Sequence, residues 1–403
     1  MTSMPLRRVL PNVGLVLGSI VLTLCCVELA LRVLGLSFPV FMQPNDTLGW
    51  SYFPDVEGYS VHEATTWVKI NADGFRDRHH ERVKPSSTFR IAVVGDSFTE
   101  GSNVAFEDTF PAVVERELAF CSMFKEQKVE VLNFGVSGYG TAQSYLLLRE
   151  RVLLYEPDLV VLAFYNGNDV ADNSIVLSAE TQKGKPFYLI RDGRLVLDAS
   201  FQETAAFKKA KREAMLVQAF LNKSYVFQFS KQLYLRRAVL SGHPMSQVER
   251  FDEARHGSST LRPLFPEVFS RPIDSVWEEA WKVTEALILA MRDAVKSQGA
   301  EFLVVMIPEP AQVYPDPPTR ERIKQAYGLS DLAYPERRFK PYAQAAQLDI
   351  LMLLEPFLEI LSNDPMFFHG FPPAYGAGHW NRAGNQAGGR LIARYICSEH
   401  SRS

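Results

Sequence analysis

Arg90-Ile-Ala-Val-Val-Gly-Asp-Ser-Phe-Thr-Glu-Gly101 is the stretch on which the reading of this 403-residue chain turns. Residues 91–94 form an uninterrupted apolar run, as a strand buried on both faces of a parallel sheet requires. Gly95 and Gly101 bracket a tight turn, and Phe110, Val113, Val114 and Leu118 continue at helical spacing. A strand–turn–helix unit of this kind presents Ser97 at the carboxyl edge of a sheet, where backbone N–H groups can support a developing oxyanion. A Gly-Asp-Ser tripeptide is cheap by chance, so its weight depends on the company it keeps along the chain.

Two later apolar runs also end in polar residues. Val129-Glu-Val-Leu-Asn-Phe-Gly-Val-Ser-Gly-Tyr-Gly-Thr141 reads as a strand closing on Asn133, and Leu159-Val-Val-Leu-Ala-Phe-Tyr-Asn-Gly-Asn-Asp169 as a strand running into Gly167-Asn168-Asp169. Near the C-terminus stand Gly378-His379-Trp380-Asn381 and then a helical stretch over 383–395. Ser, Gly, Asn and His thus occur in that order, each on its own block. The order resembles the SGNH (GDSL-type) hydrolase superfamily, in particular bacterial members tethered by an N-terminal helix, and the likeness extends from about Leu48-Gly49-Trp50 to Gly384. Phe98 stands where the GDSL pattern has leucine.

The resemblance implies a nucleophile at Ser97 and a general base at His379. It also implies an oxyanion hole from the Ser97 and Gly138 backbone N–H groups and the Asn168 amide. Chemistry gives reasons for these types: a hydroxyl is a poor nucleophile unless an imidazole takes its proton, and fixed donors stabilise the tetrahedral oxygen. The family's usual aspartate, two or three residues before the histidine, is replaced here by Ala377 and Gly376. Three accounts stand: a Ser–His dyad oriented by a backbone carbonyl, an acid from elsewhere such as Asp364 or Glu309, or a decayed site.

Other polar residues have plainer readings. Asp96 satisfies turn amides, Asn133 and Ser137 close the turn after the second strand, and Asp169 packs beside Asn168. His79 and His80, among Arg78, Glu81 and Arg82, read as a solvated loop. No His/Cys/Asp spacing argues for a metal, and no cofactor is expected.

A net charge of −3 gives no case for nucleic-acid binding, and 47% hydrophobic content suits one substantial core with an insertion. Residues 10–27 carry no charge and follow Arg7-Arg8, which predicts an uncleaved transmembrane anchor over 10–36 with its N-terminus (1–9) cytoplasmic. Cys25 and Cys26 lie in that segment; Cys121 and Cys397 either pair in an oxidising compartment or remain two buried thiols. The expected organisation continues with an N-terminal extension (37–88), a first hydrolase part (89–172), an insertion or cap (173–274) and a second hydrolase part (275–398). In the extension, residues 71–74 read as a turn between short strands. In the insertion, Arg191-Asp-Gly-Arg194 suggests a hairpin, and 205–240 a basic helix serving as a solvated cap, a lid or a membrane-surface contact.

The α/β rhythm then resumes. Ser275-Val-Trp-Glu278 reads as a capping box before a helix burying Trp277, Ala280, Trp281, Thr284, Ile288, Met291 and Val295. Strands are expected at 302–307 and 349–352, with a helix at 335–346 between them. Strands separated by helices predict a three-layer α/β/α fold with a mainly parallel five-stranded sheet, SGNH/flavodoxin-like under the resemblance. The reaction implied is hydrolysis of O-acyl, including O-acetyl, esters on a glycan or lipid outside the cytoplasm. Acyl transfer to a surface polysaccharide is the rival chemistry, and a non-catalytic glycan-binding or assembly protein is the rival class.

Overall fold

The computed structural model describes residues 6–178, 184–240 and 263–400. The parts of the predicted insertion at 179–183 and 241–262, and of the predicted cytoplasmic tail at 1–5, lie outside the described residues.

Eleven strands are described. Four belong to the extension, β1 (Met42–Asn45), β2 (Gly49–Tyr52), β3 (Glu57–Val61) and β4 (Thr65–Lys69), paired as two antiparallel hairpins. The central sheet comprises β5 (Thr88–Gly95), β6 (Lys128–Gly135), β7 (Leu159–Tyr165), β10 (Glu301–Ile307) and β11 (Asp349–Met352). Its order is β11-β10-β7-β5-β6 and every pairing is parallel. A further hairpin joins β8 (Phe187–Arg191) to β9 (Arg194–Asp198), as the Asp-Gly turn predicts.

The two-residue period of the strands sorts the core into two layers. Ile91 and Val93 of β5, Val161 and Ala163 of β7, and Val305 and Ile307 of β10 pack under the helices Phe110–Leu118, Leu354–Asn363 and Arg382–His400. Their neighbours Ala92 and Val94, Leu162 and Phe164, and Val304 and Met306 face the helices Thr141–Glu150, Ser275–Lys296 and Tyr334–Ala346. This is the expected α/β/α arrangement. The sheet reverses its winding between β5 and β7, so the loops after those two strands diverge and leave a crevice at their carboxyl ends. Ser97 follows one strand and Asn168 the other.

Several local expectations are revised. Helix Ser275–Lys296 is capped by Asp274, whose carboxylate accepts from Trp277 N at 3.0 Å, so Ser275 is the first helical residue and not the cap; an aspartate one position upstream is an equally good acceptor. The predicted buried stripe of that helix is buried throughout. Residues 71–74 do form a turn, with Asn71 Oδ1 accepting from Asp73 N and Phe75 N, each at 3.0 Å. The turn follows β4 and does not join two strands. Residues 205–240 form two helices, Ala205–Ala219 and Tyr225–Leu240, broken at Phe220–Ser224. His80 is buried with its ring 3.3 Å from Asp77, so only His79 of the pair meets solvent. The charged neighbourhood hides a buried network in which Arg90 binds Glu130 at 2.9 Å.

At the N-terminus, helix Leu6–Val33 contains the span Asn12–Val33, long and apolar enough to cross a bilayer, with mean hydropathy 2.3. Within that span only Leu31, near its end, is buried by the rest of the protein, and Glu28 is half-buried.

Cys121 and Cys397 form a disulfide across a sequence separation of 276 residues, tying the loop after helix Phe110–Leu118 to the C-terminal helix. Restricting so long a loop in the unfolded chain is worth at most about 6 kcal/mol on the chain-entropy model. Cys397→Ser is expected to lower the melting temperature by several degrees in a thermal scan, and reductant to abolish the difference between the two proteins. Equal melting temperatures without reductant would contradict this.

Candidate functional site

The strand β5 ends on Gly95, and Asp96 turns the chain into the short helix Ser97–Glu100 by accepting from Phe98 N at 2.9 Å. Asp96 and Phe98 are buried, whereas Ser97 between them is partly exposed. The turn is held from below by Arg76, itself buried, whose guanidinium donates to the carbonyls of Glu100, Gly101 and Val104. The serine is therefore presented by a closed, buried turn and not by a mobile loop.

His379 lies 282 residues further along the chain. Its Nε2 is 2.7 Å from Ser97 Oγ. Its Nδ1 is 2.9 Å from Glu63 Oε1, and its backbone N–H donates to Glu63 Oε2, also at 2.9 Å. With its proton on Nδ1, the ring donates to the carboxylate and is free to accept from the hydroxyl. Glu63 belongs to the three-residue connection between β3 and β4 and is not among the acids the sequence points to. Of the three accounts of the missing aspartate, the one that brings an acid from elsewhere describes the geometry, but neither named candidate supplies it. Asp364 is an exposed C-cap, and Glu309 is buried while accepting from Ala311 N at 2.9 Å and Leu264 N at 3.3 Å. Burial pushes Glu309 up to about 7, against the two backbone hydrogen bonds it accepts.

The local sequence before the histidine now has a steric explanation. Gly378 has φ +76°, and a Cβ there would stand 2.1 Å from Glu63 Oε1. A side chain on this residue would displace the carboxylate, so a glycine precedes the histidine. The hairpin carrying Glu63 is fixed by a hydrogen bond from Thr66 Oγ1 to Ser102 O, just beyond the serine turn.

Around the imidazole lies an aromatic wall. The Phe98 ring is 5.0 Å from that of His379, 5.7 Å from Trp380 and 4.2 Å from Tyr165. Trp380 is buried and packs on Phe110 and Phe357. A second histidine, His369, is buried 6.0 Å from the Phe98 ring. Burial lowers its pKa to about 3, so the ring is neutral. The carbonyl of His369 accepts from Gly376 N at 2.9 Å, and that of His379 accepts from Gly370 N at 2.9 Å. These bonds close the loop on which His379 sits.

The other predicted residues fall at the same edge of the sheet. Gly138 lies in the turn after β6 with φ +77°, partly exposed. Asn168 caps the short helix Asp169–Asp172 after β7, and its amide donates to Asp172 Oδ2 at 2.6 Å, which engages one of its two hydrogens. Asp172 in turn lies 3.7 Å from the buried Lys185. Asp169 accepts from Tyr165 N at 2.8 Å, closing its own turn and leaving Asn168 to Asp172. Burial, with Asp96 close by, raises Asp169 well above the carboxylate range, and burial raises Asp96 to about 6. Asn133 bridges two blocks, donating to Thr99 O at 2.8 Å and accepting from Gly135 N at 2.9 Å. Ser137 is held by the extension through Tyr52 and Trp50.

A hydroxyl, an imidazole and a carboxylate in this sequence of contacts can transfer the hydroxyl proton to the ring and stabilise the imidazolium formed. No family model matches the chain, and no curated protein matches it. Solved structures similar to it include a protein of the G-D-S-L family from Desulfitobacterium hafniense DCB-2, at 13% identity over 76% of this chain and 98% of that one, TM-score 0.35. A catalytic mutant of Axe2, an acetylxylan esterase from Geobacillus stearothermophilus, is 14% identical over 77% and 94%, TM-score 0.35. LAE5, an alpha/beta hydrolase enzyme from the metagenome of Lake Arreo, Spain, is 13% identical over 78% and 95%, TM-score 0.36. These likenesses assign no residue role.

Gly378→Ala tests the packing of histidine against carboxylate. The positive φ alone costs about 1 kcal/mol, and the methyl group forces Glu63 aside. A proton NMR spectrum of the wild type is expected to show a downfield His379 Nδ1–H signal that the variant lacks; its persistence would mean that the carboxylate has not moved.

Proposed function

We propose that this chain is a membrane-anchored, extracytoplasmic serine esterase of SGNH type. Ser97 attacks an acyl ester, His379 takes the hydroxyl proton and returns it to the leaving alcohol, and Glu63 holds the imidazole in the required tautomer. The observation that carries the reading is the unbroken run of contacts from Ser97 Oγ through His379 to Glu63, at 2.7 and 2.9 Å. Three residues from distant parts of the chain have no packing reason to align in this way on a partly exposed hydroxyl.

The Ser97 and Gly138 N–H groups and the second hydrogen of the Asn168 amide are assigned to the oxyanion. Asp172, by accepting the first hydrogen, sets the plane of that amide. The substrate is an O-acyl ester, O-acetyl foremost, on a glycan or lipid. The reading as a non-catalytic binder rests on the absent aspartate, and Glu63 occupies that role in space.

For location, the support is the apolar span Asn12–Val33 preceded by Arg7 and Arg8, together with a disulfide that needs an oxidising compartment. The domain bearing the serine then lies on the far side of the membrane from the N-terminus.

A fluorophosphonate probe is expected to label the wild type and not Ser97→Ala. Glu63→Gln, which keeps the shape but not the charge, is expected to lower kcat for a chromogenic acetyl ester by roughly 10³- to 10⁴-fold, and Glu63→Asp to restore part of the loss. Wild-type activity in Glu63→Gln would remove the carboxylate from the mechanism; labelling of Ser97→Ala would remove the serine. Free acetate release, compared with and without an acceptor sugar, separates hydrolysis from transfer: acyl-sugar formation at the expense of acetate would favour the transferase.

A further inference from the structure

The two helices Ala205–Ala219 and Tyr225–Leu240 and the break between them carry large apolar side chains that the described residues leave exposed. Met215 and Tyr234 are each 71% exposed and Phe220 61%, and Leu216, Phe227 and Leu233 are exposed as well. Six such residues within twenty positions form a cluster, whereas isolated ones are ordinary on any surface. The same segment holds Lys208, Lys209, Lys211, Arg212, Lys223, Lys231, Arg236 and Arg237 and the single acid Glu213; Lys208, Lys209 and Lys211 pair with Glu203, Glu213 and Asp46. Spacing places both kinds together: Arg212 and Leu216 stand at i, i+4 on the first helix with Phe220 at its end, and Phe227, Lys231 and Tyr234 recur at i, i+4, i+7 on the second.

The position of this cluster is fixed by contacts to the end of the apolar N-terminal helix. The Glu28 carboxylate accepts from Ser224 Oγ at 2.8 Å, Tyr225 N at 3.0 Å and Val226 N at 2.9 Å, capping the second helix from another element. Arg32 lies 4.6 Å over the Tyr225 ring. Beyond the exit, Asn222 exchanges two 2.8 Å hydrogen bonds with the backbone of Val40, and Gln228 accepts from Phe38 N at 2.7 Å and from Ser37 Oγ at 3.0 Å. Residues 222–228 are therefore level with residues 28–40, where Leu29, Val33 and Leu34 are also exposed.

We propose that residues 205–237 are an interfacial element that lies on the bilayer holding the anchor. The exposed apolar side chains enter the acyl boundary, and Arg212, Lys223 and Arg236 meet anionic lipid headgroups. The inference rests on the anchor reading above. It follows from the mixture of exposed apolar and basic residues at the level where an apolar helix leaves the membrane. A second copy of the chain is the poorer occupant, because a self-complementary contact would set this positive surface against itself.

The test uses the full chain with Cys25→Ser and Cys26→Ser, reconstituted in phosphatidylcholine vesicles with or without phosphatidylglycerol. An environment-sensitive fluorophore is attached in turn at Phe220→Cys, Tyr234→Cys, Leu17→Cys within the anchor, and Val83→Cys as a water-exposed control. Retained ester turnover shows that each variant is folded. Positions 220 and 234 are expected to shift to the blue and be quenched by a nitroxide placed shallowly on the acyl chain. The effect is expected to weaken by about twofold or more without phosphatidylglycerol, or when Lys223→Glu and Arg236→Glu are added. Quenching at 17 with water-like behaviour at 220 and 234 would overturn the interfacial assignment and leave the anchor standing. A water-like signal at 17 would overturn the anchor and this proposal with it. A blue shift at 220 that follows protein concentration and ignores lipid would mean self-association and also overturn it.

Discussion

The geometry of this molecule depends on one imidazole held from both sides. His379 meets a hydroxyl at one nitrogen and a carboxylate at the other, while its own backbone N–H is bound by the same carboxylate. Three points of attachment leave the ring little freedom. The chain supplies those points from the β3–β4 connection, the end of β5 and the loop before the last helix, so the arrangement exists only when all three segments are docked. The closed loop around His369, Gly370 and Gly376 and the buried Trp380 hold the third segment in place.

The extension before the sheet is accordingly part of the site and not an accessory to it. Besides Glu63, it provides the guanidinium of Arg76 beneath the serine turn and Asp77, which accepts from Asn133 N at 2.7 Å. It also provides the Tyr52 and Trp50 side chains that hold Ser137, one residue before Gly138. The serine turn, the block after β6 and the histidine are thus each braced by residues that lie between 50 and 77. Burying a guanidinium is costly unless its donors are satisfied, and Arg76 finds three carbonyls around the turn it supports.

Much of this is legible in the sequence because it is written locally. The runs at 91–94, 159–165 and 302–307 alternate between two apolar layers, and each ends in glycine, proline or a short polar residue where the sheet stops. The strands themselves and the edge on which Ser97 and Asn168 fall follow from that pattern, whereas Gly138 and His379 are reached through the family resemblance. The acid does not, because nothing in the triplet His62-Glu63-Ala64 distinguishes a carboxylate that meets a histidine from a solvated one; its place comes from a partner 316 residues away. The one local trace is negative: glycine at 378, next to the histidine, which the structure explains as room for Glu63. His80 escapes a sequence reading for a related reason. Charged neighbours suggest solvent, but Asp77 and Glu130 face inward and make a buried place for the ring.

The distribution of the three groups along the polypeptide bears on what proteolysis would do. A cut after Ile70 and before Thr88 that separated the two pieces would leave serine and histidine on the fragment that holds the sheet, while Leu48, Tyr52, Val68 and Ile70 would be lost from its hydrophobic core. The glutamate would stay behind with the N-terminal helix. Such a cut would therefore part the carboxylate from the imidazole it holds, and the run of contacts from Ser97 to Glu63 would end at the ring.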